Sequence, residues 1–450
     1  MQNRDIGNVW FLLAIAGLGG LLYGIDFGVI ASALPYIKAL CLFTDAQLSW
    51  IVGAALFGGI VSSLTAGVFA EWFGRKRMIV VSAALFLVAI PVVCLAERSL
   101  AMMLFGRVLQ GMSAGFMSVV MPMYLTETLP PEIRGRGTGV FQFCLGFGLV
   151  AAAAIGFAVA KLYGAADAPV DIVADAAKSV AWKINFWWTM APVAVLFVAS
   201  IRLKESPVWL SRCRGGRKET GRVKELGADR SQTLFQRRYV VPFLLAVAVL
   251  TLNKTMGMSS ITSYSVMVFH KAGFVGSLGN VGDFAVKLTN LVVTIIAASL
   301  VDRLGRTWLL KVGTAGMTVG LTSIGCVLLS IERFGFTANS TTGLLCLVAF
   351  FFMQVFYALG PGICVWLVLS ELMPSRIRAN GMAIALFMNQ FVAWGLASSF
   401  LPWVNAWGWH SMFFFFAANG AIYFIVSLFI PETKGKTLDE LEHLFEKRDG

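Results

Sequence analysis

A few ionisable side chains, among them Asp26, Arg107 and Lys254, stand inside long apolar stretches of this 450-residue chain. A charged group in hydrocarbon costs at least ~2.5–3.5 kcal/mol, so such residues usually pair with one another or line the path of an ion or polar substrate. Charge pairing, proton transfer and recognition of a polar solute are the chemistry that these residue types offer. Which of these they perform depends on the elements that carry them.

The composition of the chain indicates a membrane protein. Apolar and aromatic residues make up 58% of the chain and charged residues 13%, about half the charged fraction of a soluble domain. The apolar residues form continuous blocks of about 20, the length of a helix that spans a bilayer, whereas β-barrel strands would alternate over about 10 residues. We therefore expect an all-α protein embedded in the lipid bilayer.

Twelve apolar blocks predict twelve transmembrane helices. Segments on alternate sides of the blocks hold 26 and seven basic residues, so the positive-inside rule assigns the richer set, and both termini, to the cytoplasm. We expect the cell (inner or plasma) membrane. The net charge of +12 follows these segments, which argues against nucleic-acid binding. The blocks lie near residues 9–37, 47–70, 78–96, 101–126, 138–162, 183–203, 239–270, 280–302, 308–331, 342–372, 377–400 and 408–430.

An internal repeat divides the chain into two pseudo-symmetric halves of six helices. The spaced residues Glu127, Pro130 and Arg134 recur 244 positions later, and Gly74-Arg75 recurs 231 positions later as Gly305-Arg306. We expect an N-terminal half at 1–203, a basic cytoplasmic linker with short helices at 204–238, a C-terminal half at 239–431 and a cytoplasmic tail at 432–450. Parallel repeats of this kind surround a substrate site near the bilayer midplane and rock around it.

Acidic and basic residues recur at the cytoplasmic ends of the predicted helices. Glu127 precedes Arg134 by seven residues across a Pro-containing turn, and Glu371 precedes Arg378 in the same way. Carboxylates and guanidiniums so placed can form charge-assisted pairs. Two copies in register favour a latch that holds the cytoplasmic side closed and separates when the protein opens inward.

These loops resemble a known transporter family. Gly67-Val-Phe-Ala-Glu71-Trp-Phe-Gly-Arg75 and Asp302-Arg-Leu-Gly-Arg306 resemble the paired loop signatures of the major facilitator superfamily. Segments that begin at Gly106, Pro122, Arg134, Glu205, Gly360 and Pro431 are similar to motifs of its sugar porter family. The resemblance implies the major facilitator fold and transport by alternating access. The residues of the expected cytoplasmic gate are Glu71, Arg75, Glu127, Arg134, Asp302, Arg306, Glu371 and Arg378.

Asp26 and Arg107 are predicted to face each other. Counted along their helices, they lie roughly 26 Å and roughly 30 Å above the cytoplasmic side. A carboxylate stays charged beside Arg and takes up a proton more readily when separated from it in a dry cavity. The resemblance adds that proton-coupled sugar porters have Asp and Arg at these positions, whereas facilitators commonly have Asn in place of the Asp. We therefore hypothesise a proton symporter that uses this pair for coupling.

The resemblance also implies a site that binds sugar hydroxyls through amides and an aromatic face. Span seven departs from the family pattern Gln-Gln-x-x-Gly-x-Asn, because it reads Asn253-Lys254-Thr-Met-Gly257-Met-Ser259. Lys254 would bind an anionic substrate, pair with an acid on another span, or deprotonate as a second coupling site. The candidate binding residues are Tyr23, Gln142, Asn253, Lys254, Ser259, Asn290, Trp366 and Asn389.

Lys287, which also lies within an apolar block, is one turn from Asp283 and is expected to pair with it or to extend toward the outside. Catalysis is not expected, because the three His and seven Cys residues show no catalytic, metal-binding or redox spacing. Neither a cofactor nor a metal is expected.

The sequence thus predicts a secondary active transporter, functional as a monomer, that moves a sugar or related polyhydroxylated solute together with a proton. Facilitated uniport, transport of a sugar acid or other organic anion through Lys254, and solute sensing without transport stay open as alternatives.

Overall fold

The structure, a computed structural model, describes residues 3–40, 42–130, 133–163, 170–214, 237–372 and 378–432. These residues form α-helices and a short 3-10 helix at Val170–Ile172, and contain no β-strand. The α-helices are α1 (Asn3–Ala39), α2 (Asp45–Phe73), α3 (Arg75–Leu95), α4 (Leu100–Thr128), α5 (Arg134–Tyr163), α6 (Asp175–Trp187), α7 (Met190–Ile201), α8 (Pro207–Arg214), α9 (Arg237–Thr255), α10 (Met258–Ala272), α11 (Leu278–Leu304), α12 (Arg306–Arg333), α13 (Ser340–Leu359), α14 (Pro361–Leu372), α15 (Arg378–Trp407) and α16 (Trp409–Leu428).

Twelve stretches of the described chain are long and apolar enough to cross a membrane, as the sequence predicts. Three of them consist of two consecutive helices: span six of α6 and α7, span seven of α9 and α10, and span ten of α13 and α14. The predicted start of span six near residue 183 is too late, because the helix begins at Asp175. The charge of Lys178 is accommodated there by the Asp175 carboxylate at 3.1 Å and the Asp171 carbonyl oxygen at 3.0 Å.

The two ends of the helix bundle are distinguished by the chain segments that lie there. We call the basic end the one that holds the start of α1, the turn between α2 and α3 at Gly74, the end of α4, and Glu432. We call the other, which holds the starts of α2, α4 and α16, the opposite end. Of the predicted linker, the described residues include α8, and residues 215–236 lie outside them. The predicted domain boundaries stay a prediction.

Close contact between α1 and α5 fixes the helix that carries Asp26. Gly20 and Gly24 face α5 one turn apart, and a Cβ at either position would overlap the carbonyl oxygen of Phe141 or Leu145. Small residues let helices approach closely in lipid, where helix association depends on contact between surfaces more than on the hydrophobic effect. The backbone of α1 next to Asp26 is therefore held against α5.

The first six and last six spans meet along α2 with α15, α5 with α11, and α1 with α10. Three hydrogen bonds between these two sets of spans lie near the opposite end. Ser49 Oγ of α2 lies 3.2 Å from the Tyr264 hydroxyl and accepts a bond from the Leu401 amide at 3.0 Å. Asn405 Nδ2 of α15 donates to Asp45 Oδ2 at 2.7 Å. These contacts hold the two sets of spans together at that end.

We expect Gly24→Ala to destabilise the protein, because the new Cβ would overlap the Leu145 carbonyl group. Overpacking of this kind costs about 1–3 kcal/mol. The thermal melting temperature of the purified protein in detergent measures the effect. Gly139→Ala on α5 is the control, since nothing lies within 4 Å of a Cβ there. Equal melting temperatures for the two variants would contradict the close α1–α5 contact.

Candidate transport site

Asp26 of α1 and Arg107 of α4 form an ion pair inside the bundle. Arg107 Nη1 lies 3.4 Å from Asp26 Oδ1, and the two residues are 2% and 3% exposed, respectively. The sequence-based prediction that these charges meet is thus confirmed by their geometry. The contact is single and long compared with a bidentate guanidinium–carboxylate pair. Asp26 therefore contacts one nitrogen of the Arg107 guanidinium.

Gln110 provides the shorter contact to Arg107. Its Oε1 accepts a hydrogen bond from Arg107 Nη1 at 2.8 Å, and Gln110 is itself 1% exposed. The guanidinium carbon also lies 5.9 Å from the centre of the Phe186 ring of α6, within cation–π range. Sequence reasoning missed Gln110, although its position three residues after Arg107 puts both on one face of α4. Arg107 thus keeps a polar partner that does not titrate.

Lys254 lies where span seven breaks. Gly257 has a left-handed φ of 78°, and the Phe416 ring leaves no room for a Cβ there, so α9 ends and α10 begins on either side of it. Lys254 Nζ donates a hydrogen bond to Ser259 Oγ across the break, at 3.1 Å. The two residues that depart from the family pattern thus contact each other. Pairing of Lys254 with an acid on another span is not observed among the described residues.

Two predicted amides lie close to this break. Asn253 is 5% exposed, and its Oδ1 has no hydrogen-bond partner among the described residues. Asn389 of α15 is 2% exposed and donates through Nδ2 to the Leu250 carbonyl oxygen of α9 at 2.9 Å. In this arrangement Asn389 therefore joins two helices, while Asn253 keeps a free acceptor.

Gln142 of α5 and Asn290 of α11 come from different halves of the chain and lie on helices that pack against each other. A Cβ at Gly146, one turn from Gln142, would lie 2.8 Å from Leu291, the neighbour of Asn290. Gln142 is exposed, and Asn290 is half-buried with its Oδ1 3.4 Å from Thr294 Oγ1. Both amides can therefore offer polar atoms to a solute at this contact.

The two predicted aromatic residues differ in accessibility. Trp366 of α14 is 46% exposed, so much of its ring surface is uncovered. Tyr23 is half-buried, with its ring centre 5.2 Å from that of Phe27 on the same helix. Trp366 is thus the more open of the two for contact with the C–H face of a sugar.

A second ion pair lies outside the predicted site. Lys287 Nζ is 2.7 Å from Asp283 Oδ2 one turn away on α11, as the sequence predicts. Ser265 Oγ of α10 donates to the other carboxylate oxygen at 2.5 Å. All three residues are buried, so this pair joins α11 to α10 within the last six spans.

Three of the predicted gate residues form one network at the basic end. Arg75, 1% exposed, bonds through Nη2 to Glu71 Oε1 at 2.8 Å and to Glu127 Oε1 at 2.9 Å. Ser206, which the prediction missed, donates to the other oxygen of Glu127. Arg212 of α8 adds a contact to Glu71 at 3.2 Å. The network ties α2, α3, α4 and α8 together, and the described partner of Glu127 is Arg75.

Two further carboxylates, Glu205 and Glu432, cap helices at the basic end. Glu205 Oε1 accepts from the Lys76 amide at 2.9 Å at the start of α3, and Glu432 Oε1 accepts from the Arg306 amide at 3.1 Å at the start of α12. Gly74 and Gly305 precede these helices with positive φ angles of 95° and 92°. A carboxylate cap at the start of a helix that follows a Gly with positive φ thus occurs in both halves of the chain. The side chains of the predicted residues Arg134, Asp302, Glu371 and Arg378 lie outside the described residues.

We expect Arg75→Gln to be destabilising, because Glu127 loses its ion-pair partner while it keeps only the bond from Ser206. Removal of one partner of a buried hydrogen-bonded group costs about 1–3 kcal/mol. Arg77→Gln is the matched control, since Arg77 is exposed and forms no ion pair among the described residues. Thermal melting in detergent compares the two, and a loss for Arg75→Gln no larger than for Arg77→Gln would contradict the network.

Known proteins resemble the chain over almost its full length. A glucose transporter of Staphylococcus epidermidis is 27% identical, covering 98% of this chain and 98% of its own. An arabinose-proton symporter of Bacillus subtilis is 26% identical, covering 99% of this chain and 97% of its own. The crystal structure of a D-xylose-proton symporter matches with a TM-score of 0.80 at 23% identity, over 95% of this chain and 99% of that one.

The structural match confirms the predicted major facilitator fold. Together with the twelve apolar helices, the bacterial relatives identify a multi-pass protein of the plasma membrane. The family profile described as "Sugar (and other) transporter" matches residues 12–445. The chain therefore belongs to the sugar (and other) transporter family and is not an enzyme.

Proposed function

We propose that the protein is a secondary active transporter that carries a sugar or related polyhydroxylated solute together with a proton. The buried pair of Asp26 and Arg107 is the observation that carries the proposal. A transporter that used only the solute's own gradient would have no need of a titratable group in this costly position. The printed functions of the arabinose, galactose and xylose relatives, all proton symporters, agree with this assignment.

The geometry of the pair supplies a route for coupling. When a proton binds Asp26 Oδ1, the carboxyl group becomes neutral and its attraction to Arg107 is lost. Arg107 keeps its 2.8 Å bond to Gln110 Oε1, so one hydrogen bond of the guanidinium persists while its charge loses the carboxylate. Loss of the proton restores the 3.4 Å ion pair. Protonation of Asp26 would therefore leave the positive charge of Arg107 uncompensated, and this change of electrostatics is what would couple the proton to rocking of the helices.

Solute access would alternate between the two ends of the bundle. Near the opposite end the bonds of Ser49 and Asp45 close the molecule, whereas Gln142 and Trp366 keep exposed surface. We assign the basic end to the cytoplasm, since its loops carry most of the basic residues. In the proposed cycle this arrangement is the one open toward the cytoplasm, and separation of the Ser49 and Asp45 contacts would open the protein to the outside.

The predicted gate residues are assigned to the cytoplasmic side of the same cycle. Arg75 with its carboxylate partners would keep the first six spans rigid at the basic end while they rock. Glu371 and Arg378 would serve the last six spans in the same way by their place in the repeat. The solute would bind between the two sets of spans, at Gln142, Asn253, Asn290 and Trp366.

We expect Asp26→Asn to abolish solute accumulation driven by a pH gradient, because an amide side chain takes up no proton in the pH range of the assay. Exchange of labelled for unlabelled solute should persist, since it requires binding and rocking without net proton movement. Uptake by proteoliposomes with and without an imposed pH gradient, compared with counterflow, measures both.

Asp171→Asn is the matched control, because this carboxylate is exposed in the segment before α6 and forms no hydrogen bond or ion pair within the described structure. It should retain gradient-driven accumulation. Full accumulation by Asp26→Asn would contradict proton coupling at this residue, and solute flux without any response to the pH gradient in the unmodified protein would indicate a uniporter.

A further inference from the structure

The charged side chains in the interior of the described spans do not balance. Asp26 with Arg107 and Asp283 with Lys287 are two ion pairs whose net charge is zero. Lys254 is the remaining ammonium, half-buried in the middle of the 33-residue span Val240–Ala272. Its position therefore gives the candidate transport site one uncompensated positive charge in an environment where an unpaired charge is costly.

The hydrogen bonds of Lys254 leave it open to a ligand. An ammonium group has three N–H donors and no acceptor. Within the described structure one donor is used, toward Ser259 Oγ at 3.1 Å, and no carboxylate lies within ion-pair distance. Ser259 is a neutral hydroxyl group and leaves the charge uncompensated. Lys254 thus has both the charge and the free donors that an anionic group requires.

The start of α10 adds partial positive charge beside Lys254. The first N–H groups of an α-helix have no partner within it, and the helix dipole makes this end attractive to anions. Gly257 occupies the N-cap position and has no side chain that could cap the helix. The Ile261 amide donates the first backbone bond of α10 to the Gly257 carbonyl oxygen. Half-helix starts at the middle of a membrane bind anionic substrate groups in other transporters.

Unpartnered buried polar atoms flank the same break. Ser260 Oγ, on the first turn of α10, is fully buried and lacks a partner among the described residues. Asn253 Oδ1, beside Lys254, is likewise without one. Ser260 can donate to an anion, and Asn253 can accept from a sugar hydroxyl. The break thus has groups suited to a ligand with one charged and several hydroxyl-bearing atoms.

We propose that the transported solute is a sugar acid, whose carboxylate binds Lys254 and the start of α10. The inference rests on the proposed transport function and names the chemical class of its substrate. Asn253 and the amides of Gln142 and Asn290 would bind the hydroxyls of the same molecule. A monoanion offsets the charge of Lys254, which a neutral sugar would leave unpaired.

The charge of the solute determines the net charge that moves during transport. If Asp26 carries one proton with each sugar-acid monoanion, the sum of the transported charges is zero. Uptake is then driven by the pH gradient and does not respond to the membrane potential. Symport of a neutral sugar with one proton would instead carry one positive charge per cycle and respond to both.

The experiment measures binding and transport of three matched pairs by the full chain. The acids D-glucuronate, D-galacturonate and D-gluconate are compared with D-glucose, D-galactose and D-glucitol, each of which lacks the carboxylate. Titration calorimetry in detergent gives the affinities of the unmodified protein, Lys254→Gln and Lys254→Arg. Lys161→Gln is the control, because it removes one positive charge from an exposed position at the end of α5.

We expect the unmodified protein to bind at least one acid about tenfold or more tightly than its neutral partner, as a charged hydrogen bond implies. Lys254→Gln should lose that preference, Lys254→Arg should retain it in part, and Lys161→Gln should leave it unchanged. Retention by Lys254→Arg also separates anion binding from proton transfer at Lys254, because Arg does not deprotonate. In proteoliposomes, uptake of the acid should follow the pH gradient and ignore an imposed potential.

Binding of none of the acids, equal binding of acid and neutral partner, or an unchanged preference in Lys254→Gln would overturn the proposal. The unmodified protein decides the first two outcomes even if a variant fails to fold. Asp26-dependent uptake of a neutral sugar alone would overturn the sugar-acid assignment and leave the proton-coupled function intact. Uptake of an acid that does not depend on Asp26 would support the sugar-acid assignment and contradict proton coupling at Asp26.

Discussion

The ion pair between Asp26 and Arg107 is the interaction on which the rest of the proposed mechanism depends. Neither charge is stable alone in a bundle surrounded by hydrocarbon, where each costs at least ~2.5–3.5 kcal/mol. The pair is nevertheless held by one contact of 3.4 Å, while Gln110 holds Arg107 at 2.8 Å. If a proton neutralises the carboxylate, Arg107 loses the attraction of the opposite charge but stays hydrogen-bonded to Gln110. A stronger, bidentate pair would resist that change.

Helix packing positions this pair and the proposed solute site together. Gly20 and Gly24 let α1 approach α5, and α1 also packs on α10, the second helix of the broken span seven. Asp26 is therefore on an element that contacts both the helix of Gln142 and the helix that begins beside Lys254. A change in the contact of α1 with either neighbour would alter the environment of Asp26. In the proposed mechanism, this packing would connect solute binding with the protonation of Asp26.

Much of the fold was predictable from the sequence, since continuous apolar blocks dictate spanning helices and the repeated motifs identify two related sets of six. The pairing of Asp26 with Arg107 and of Lys287 with Asp283 followed from depth and helical spacing. The contact of Lys254 with Ser259 did not, because it depends on the left-handed Gly257 that breaks span seven. Likewise the motifs did not reveal the bond between Glu127 and Arg75 across helices, and the pairing of Glu127 with Arg134 stays a prediction. The start of span six was misjudged because Lys178 is neutralised locally.

Infrared difference spectroscopy of the protein in lipid tests directly whether Asp26 binds the coupled proton, because the C=O stretching band of a carboxylic acid reports protonation of the side chain itself. Spectra are recorded as the pH is lowered, for the unmodified protein and for Asp26→Asn. We expect a carboxylic-acid band in the unmodified protein that is absent from the variant and that shifts when the solute is added. An identical set of carboxylic-acid bands in both proteins would contradict proton transfer at Asp26.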